Sequence, residues 1–280
     1  MRTAVIIPAR YESSRFPGKP LAILRGKPMI HWVYERARQA QGVEEVIVAT
    51  DDLRIFRTVE DLGGRAQMTS PHHRTGTDRV AEIARGLTAE LIVNLQGDEP
   101  LIRPEMIELA LRPWREDPRL PMGTLKVPLE SPEEMFDPNV VKVVTDQQDF
   151  ALYFSRSPIP YDRGHWMAPT MSGQQNSPGQ PEVAVPENGN GLQEEPGIFT
   201  VKLPRAAFKH IGLYVYRRDF LLAFAQLPST PLERLEQLEQ LRALEHGYRI
   251  KVVTTHYAGI GVDTPEDLEK AERLLRREDG

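Results

Sequence analysis

The strongest constraint on what this chain can fold into is the way two apolar periodicities alternate along it. Short apolar runs of strand length are separated by segments whose apolar residues recur at helical spacing, the rhythm of parallel βαβ units. The pattern predicts strands over residues 3–7, 45–50, 66–69, 91–95 and 122–127. It predicts helices over 28–41, 53–62 and 78–87 and another from Pro104. Pro28 suits a first helical turn, Thr77 is an N-cap candidate, and Gly63 with Gly64 stops the second helix. The run 91–95 is almost continuously apolar, as expected of a strand covered on both faces in the middle of a parallel sheet.

After Pro128 the rhythm changes. Residues 140–145, 150–154 and 212–216 read as strands with no clear helices between them, which predicts an antiparallel excursion. Residues 164–204 are rich in Gly, Pro, Gln, Asn and Glu and have little apolar surface to offset their ordering entropy. Most of that stretch is expected to be a disordered or loosely packed loop. The α/β texture then resumes. A helix over 231–246 carries Leu232, Leu235, Leu238, Leu241 and Leu244, read as core, and a strand over 249–254 and a helix from Pro265 follow. The expected architecture is one domain over 1–280, a Rossmann-like, mostly parallel sheet flanked by helices. Its core spans 1–128 and 219–280, with an inserted subdomain over 129–218 that contains the 164–204 insertion.

Composition excludes several functions. A net charge of −5 argues against nonspecific nucleic-acid binding, which needs a basic face. With no cysteine there is neither a disulfide framework nor a thiolate metal site. The chain opens directly into a strand, without a charged-then-apolar leader, and no apolar run approaches the ~20 residues that span a bilayer. The expectation is a cytoplasmic protein with no membrane partner.

The positive charge that matters is local. Residues 5–20, VIIPARYESSRFPGKP, run from a strand into a loop carrying Arg10, Arg15 and Lys19, stiffened by Pro8, Pro17 and Pro20. Three cations on one rigid connection repel one another unless an anion sits among them. At the carboxyl end of the first strand of an α/β sheet, that anion is typically a nucleotide phosphate. Asp51, Gln96 and Asp98 also fall just past predicted strands, and Asp263 precedes the last helix. Asp98 alone could belong to an ordinary turn, and Asp263 alone could be a helix cap, a role open to Thr264 as well. Two carboxylates facing a triphosphate suggest Mg²⁺. The adjacent His72 and His73 diverge on any regular element and read as plain loop residues, whereas Gly76 and Thr77 at a helix start suit nucleotide contacts.

This opening resembles the signature of the cytidylyltransferases that activate 3-deoxy-D-manno-octulosonic acid (Kdo), the CMP-Kdo synthetase family. Further matches follow in order: GKPMI (26–30), VATD (48–51), GTDR (76–79), NLQGDEP (94–100), YFSR (153–156), LEQLR (238–242) and GVDTPEDL (261–268). They cover nearly the whole chain, and the 164–204 insertion departs from the family, whose connection there is shorter. The resemblance implies transfer of CMP from CTP to the 2-hydroxyl of Kdo, with release of pyrophosphate, for lipopolysaccharide or related polysaccharide synthesis. It implies Asp98 and Asp263 as ligands of Mg²⁺, and Arg10, Arg15, Lys19, Gly76, Thr77 and Gln96 as CTP-binding, with Arg10 and Lys19 also catalytic. It implies Arg156, Arg163, His210, Tyr214, Glu239 and Gln240 as contacts to Kdo, although the sequence alone leaves core or surface readings open for each. It also implies a homodimer joined through the excursion. The rival readings are a cytidylyltransferase for another acid sugar, such as a sialic acid or 8-amino-Kdo, a nucleotide-sugar-dependent glycosyltransferase, and a noncatalytic nucleotide-binding regulator. The last would be expected to have a broken aspartate pair, and both aspartates are present.

Overall fold

The first apolar run forms β1 (Thr3–Ala9), buried at every position except the partly buried Pro8. Its alternation serves two faces: Ala4 and Ile6 join one hydrophobic core, Val5 and Ile7 the other. The computed structural model describes residues 1–12, 16–163, 203–204, 206–257, 259 and 261–278. Arg15 and nearly all of the 164–204 segment lie outside the described residues.

The parallel part of the sheet follows the predicted rhythm. β1 pairs with β4 (Glu45–Thr50) and with β6 (Leu91–Asn94), and β4 pairs with β5 (Ala66–Met68). The expected middle position of 91–95 holds. On its far side, β10 (Phe208–Arg217) runs antiparallel to β6 and to β7 (Met122–Pro128), and β11 (Ile250–Thr254) lies parallel to β7. The order is β11-β7-β10-β6-β1-β4-β5. β8 (Lys142–Thr145) joins β10 and β9 (Ala151–Ser155) joins β8, both antiparallel. A separate small ribbon pairs β2 (Ile23–Leu24) with β3 (Lys27–Pro28).

Helices cover both faces, as an almost fully buried sheet requires. α1 (Met29–Gln39), α2 (Leu53–Asp61), α4 (Pro104–Leu111) and α5 (Pro113–Glu116) contribute Val33, Ile55, Met106 and Trp114 to one core. α3 (Gly76–Arg85), α7 (Arg218–Phe224) and α9 (Gln240–Glu245) contribute Val80, Phe220 and Leu241 to the other. α6 (Pro132–Phe136) follows β7, and α10 (Pro265–Glu278) packs Ala271 and Leu275 against Leu24 and Met29. Among the described residues no helix is long and apolar enough to cross a membrane.

Two helix expectations are corrected. The third helix is Gly76–Arg85, not 78–87, because Thr75 rather than Thr77 is the N-cap, with Thr75 and Asp78 forming a reciprocal capping box. The single helix over 231–246 is two: α8 (Pro231–Glu236) and α9, separated by Gln237 at φ 53°. Leu238 and Leu241 are buried, but Leu235 is 80% exposed, so the leucine stripe is not one core face.

Candidate active site

The strand ends carry the chemistry because β1 and β6 are parallel neighbours and release their chains on the same edge. From β1 the chain passes Arg10 and Tyr11 and tightens at Gly18, whose amide donates to the Tyr11 carbonyl at 2.8 Å. The 3-10 turn of Lys19–Leu21 then aims the Lys19 ammonium back into the edge. It donates to Asp98 at 2.6 Å and to Asp263 at 3.1 Å. Asp98 follows β6, and the Val262 amide bonds the Asp98 carbonyl at 2.8 Å, tying the segment before α10 to it.

The alternative role for Asp263 falls to its neighbour. The Thr264 hydroxyl accepts from the Asp267 amide at 3.2 Å while Asp267 accepts from the Thr264 amide at 3.1 Å. Thr264 therefore caps α10, and Asp263 turns to Lys19. Among the described residues no three candidate ligands group as a metal centre, but the two carboxylates already converge on one cationic atom.

A cleft of about 360 Å³ opens here, lined by Arg10, Lys19, His73, Arg74, Gly76, Arg79, Gln96, Asp98 and Asp263 among others. Its cations outnumber its carboxylates, as a polyanion requires. Gly76 is there for space: a Cβ would sit 3.3 Å from the Pro8 ring, on the wall of the cleft. His73 remains a loop residue, pairing with Glu82 on α3.

Sequence reasoning missed Arg79. It is buried on α3, bonds Asp51 at 2.6 Å beyond β4, and holds the Thr69 hydroxyl. The signal was a charged residue within the apolar turn of the helix that follows GT, with an unexplained strand-end Asp51 to pair with it. Also missed was Glu99. Burial and the neighbouring Asp98 charge push its carboxyl up to about 7.

The residues expected at the acid sugar fall into three groups. Glu239 stands behind the cleft wall: it accepts a hydrogen bond from the buried Thr77 hydroxyl and lies 3.3 Å from Arg242. Burial raises its carboxyl, against those two partners. Gln240 is buried at the start of α9. His210 and Tyr214 stand with ring centroids 5.2 Å apart, although a bulge in β10 separates them along the strand. Burial drives the His210 imidazole down to about 3, so it is neutral. Its Nε2 lies 2.9 Å from the Thr124 hydroxyl, which also meets the Ile211 and Leu213 carbonyls at 3.0 and 2.8 Å. With that hydroxyl proton given to a carbonyl, Nε2 carries the imidazole hydrogen and Nδ1 is the acceptor.

Arg156 and Arg163 are not brought to the cleft. The Arg156 guanidinium is occupied by carbonyls of Glu236, Gln237 and Pro138 at 2.7, 3.4 and 2.8 Å. The Glu236 carboxylate in turn takes the Arg156 amide at 2.9 Å and the Ser155 hydroxyl at 2.7 Å. Arg163 is exposed at the end of the described segment.

Known proteins resemble this chain over its full length. The Cytidylyltransferase family matches residues 4–250. The 3-deoxy-manno-octulosonate cytidylyltransferase of Syntrophotalea carbinolica is 54% identical over 276 residues, covering 99% of each chain. That of Geobacter sulfurreducens is 51% identical over 276 residues, covering 99% of this chain and all of the other. A solved CMP:2-keto-3-deoxy-manno-octonic acid synthetase complexed with CTP superposes with a TM-score of 0.82 at 42% identity, covering 99% of this chain and 100% of that one. A likeness this close, over the full length and with the aspartate pair, loop and strand order in place, means that the chain belongs to the cytidylyltransferases, among the 3-deoxy-manno-octulosonate cytidylyltransferases.

Proposed function

We propose that this chain transfers CMP from CTP to the 2-hydroxyl of Kdo. A bond forms between the sugar oxygen and the α-phosphorus, the bond to the bridging oxygen breaks, and pyrophosphate leaves. The observation that carries the reading is Lys19, held at 2.6 and 3.1 Å between Asp98 and Asp263 at the end of a cation-lined cleft. Such transfer depends on positioning and charge neutralisation more than on covalent chemistry. Arg10 and Lys19 hold the triphosphate and offset the charge that grows on the leaving pyrophosphate. Gly76 and Gln96 line the nucleotide side, and Thr77 lies buried behind them.

The donor set fits magnesium, which takes one or two protein carboxylates and fills its remaining positions with phosphate oxygens and water. Asp98 and Asp263 would hold it, since they already share one cation. Bound there, magnesium supplies charge neutralisation and lowers the pKa of an adjacent hydroxyl. The side chains then need supply no strong general base. His210, neutral and pinned to Thr124, is a hydrogen-bonding group beside the sugar. A homodimer, a cytoplasmic setting and a place in lipopolysaccharide synthesis complete the reading.

Pyrophosphate release tests it. Release from CTP is expected only when Kdo and magnesium are both present. Equal release with a sialic acid in place of Kdo would move the function to the nearest rival.

A further inference from the structure

β6 ends in Asn94, a buried side chain that the proposed reaction leaves without a task. It lies in the middle of a hydrogen-bonded row. Gln96 Nε2 donates to Asn94 Oδ1 at 3.1 Å, Asn94 Nδ2 faces Thr77 Oγ1 at 3.4 Å, and Thr77 meets the Glu239 carboxylate. At the far end Arg242 bonds Glu233 at 2.9 Å and reaches Glu239 at 3.3 Å.

The direction of this row is set by charge at that end. A carboxylate beside a guanidinium only accepts, so the one hydroxyl proton of Thr77 goes to Glu239. Thr77 Oγ1 is left with lone pairs, and the Tyr216 hydroxyl also meets it. The Asn94 atom that faces it must then be the amide nitrogen. The Asn94 oxygen therefore faces Gln96, and the Gln96 nitrogen turns inward to meet it. Amide orientation is ordinarily a matter of choice between similar atoms; here each choice follows from the one before. Gln96 is left showing Oε1 to the cleft, 3.9 Å from where a Cβ on Gly76 would lie. Turning Asn94 over would set donor against donor and acceptor against acceptor, and turning Gln96 over would set its oxygen against that of Asn94.

We propose that Asn94 is a positioning residue for nucleotide recognition: braced by Thr77 and Glu239, it holds the Gln96 amide with Oε1 facing the cleft as an acceptor for a hydrogen-bond donor on the bound nucleoside. The inference rests on the reading above that Gln96 lines the nucleotide side. Two donors share the chemistry, the 4-amino group of cytosine and a ribose hydroxyl. Glu239, on this account, serves the nucleotide through three other side chains even though its own position is on the sugar side.

The test is a double-mutant cycle on the full chain, reading the dissociation constant for CTP by calorimetry, together with the melting temperature and the Michaelis constant for Kdo. Asn94→Ala and Gln96→Ala are each expected to weaken CTP about tenfold, the scale of one buried hydrogen bond. The double variant is expected to be no weaker than Gln96→Ala within about twofold, because Asn94 acts through Gln96. The Michaelis constant for Kdo should stay within about twofold. UTP and 2′-deoxy-CTP identify the donor: discrimination against the first collapses in Asn94→Ala if the amino group is read, against the second if the ribose is. If Asn94→Ala does not fold, Thr77→Val and Thr77→Ser replace it, with Val weakening CTP and Ser restoring it. Multiplying single effects in the double variant would overturn the proposal, as would a CTP affinity unmoved by Asn94→Ala while Gln96→Ala weakens it. An unmoved affinity in Gln96→Ala would remove the nucleotide reading of Gln96 and this inference together.

Discussion

Lys19 holds together two carboxylates that would otherwise repel, through charge-assisted bonds that are stronger than neutral ones, and its side chain is only 12% exposed. That arrangement makes the three residues separable by experiment. Asp98→Asn and Asp263→Asn should each keep the fold and lower turnover by at least ~10²-fold, the scale of losing a charge contact in the transition state; steady-state rates near wild type would remove that residue from the reaction. Lys19→Ala should lower the transfer rate constant more than it weakens CTP binding, if its charge is matched to the leaving pyrophosphate. A raised Michaelis constant with unchanged turnover would show ground-state binding instead. Glu99 gives a pH signature beside them. Its Oε2 is buried without a partner among the described residues, and its folded carboxyl titrates at about 7 against an ordinary 4.5. The folded state therefore binds more protons than the unfolded state over that interval. The stability this group contributes is present in full below about 4.5 and is lost as pH rises through about 7. In metal-free buffer Glu99→Gln should melt with wild type at pH 5 and above it at pH 8. An offset equal at both values would rule this out.

At the scale of elements, the informative places are those where helices stop and strands approach. α8 and α9 are separated by Gln237 in the left-handed region, and the break swings Glu239 toward Thr77, 162 residues away in sequence. Leucines at three-residue spacing over 232–244 suggest one helix because periodicity registers residue spacing and is blind to a single residue of positive φ. The capping of α3 was nearer the surface of the sequence. Thr75 and Asp78 have the three-residue spacing of a capping box, and only proximity to Thr77 obscured it. On β7, Gly123 is packed so closely that a Cβ would lie 2.8 Å from the Trp114 ring and 3.0 Å from the Lys251 carbonyl. The ring is pinned by its own bond to the Leu120 carbonyl at 2.9 Å, so it has little room to yield. Gly123→Ala should therefore cost about 1–3 kcal/mol, read as a lower melting temperature with Michaelis constants unchanged. A variant as stable as wild type would mean that this contact relaxes freely.

For the whole molecule, the sheet is one surface built from two directions of chain. β10 enters it antiparallel between β6 and β7, and β8 and β9 extend from it. The segment 164–202, outside the described residues, lies in sequence between β9 and β10. Its composition offers little apolar area, and closure cost grows only logarithmically with length. Replacing 167–197 by a short Gly/Ser linker should leave a folded enzyme that still consumes CTP. A folded variant whose Michaelis constant for Kdo rises by more than ~100-fold, about 2.7 kcal/mol, would instead make that segment part of the sugar pocket. The order of the longer strands and helices, the two-faced burial of the sheet, the cation-bearing loop and both strand-end aspartates were legible in the sequence. Each depends on local spacing and on the rule that parallel strands present their ends on one edge. The antiparallel direction of β10 was expected, but its place was not legible: it lies inside the main sheet between β7 and β6 rather than in an excursion, because alternating side chains do not say which strands become neighbours. Nor were the Lys19 bridge to residues 79 and 244 positions away, the Arg79–Asp51 pair or the Gln96–Asn94–Thr77–Glu239 row. Those were decided by tertiary structure, since sequence periodicity records which face a side chain takes, and only the closed fold determines what waits on that face.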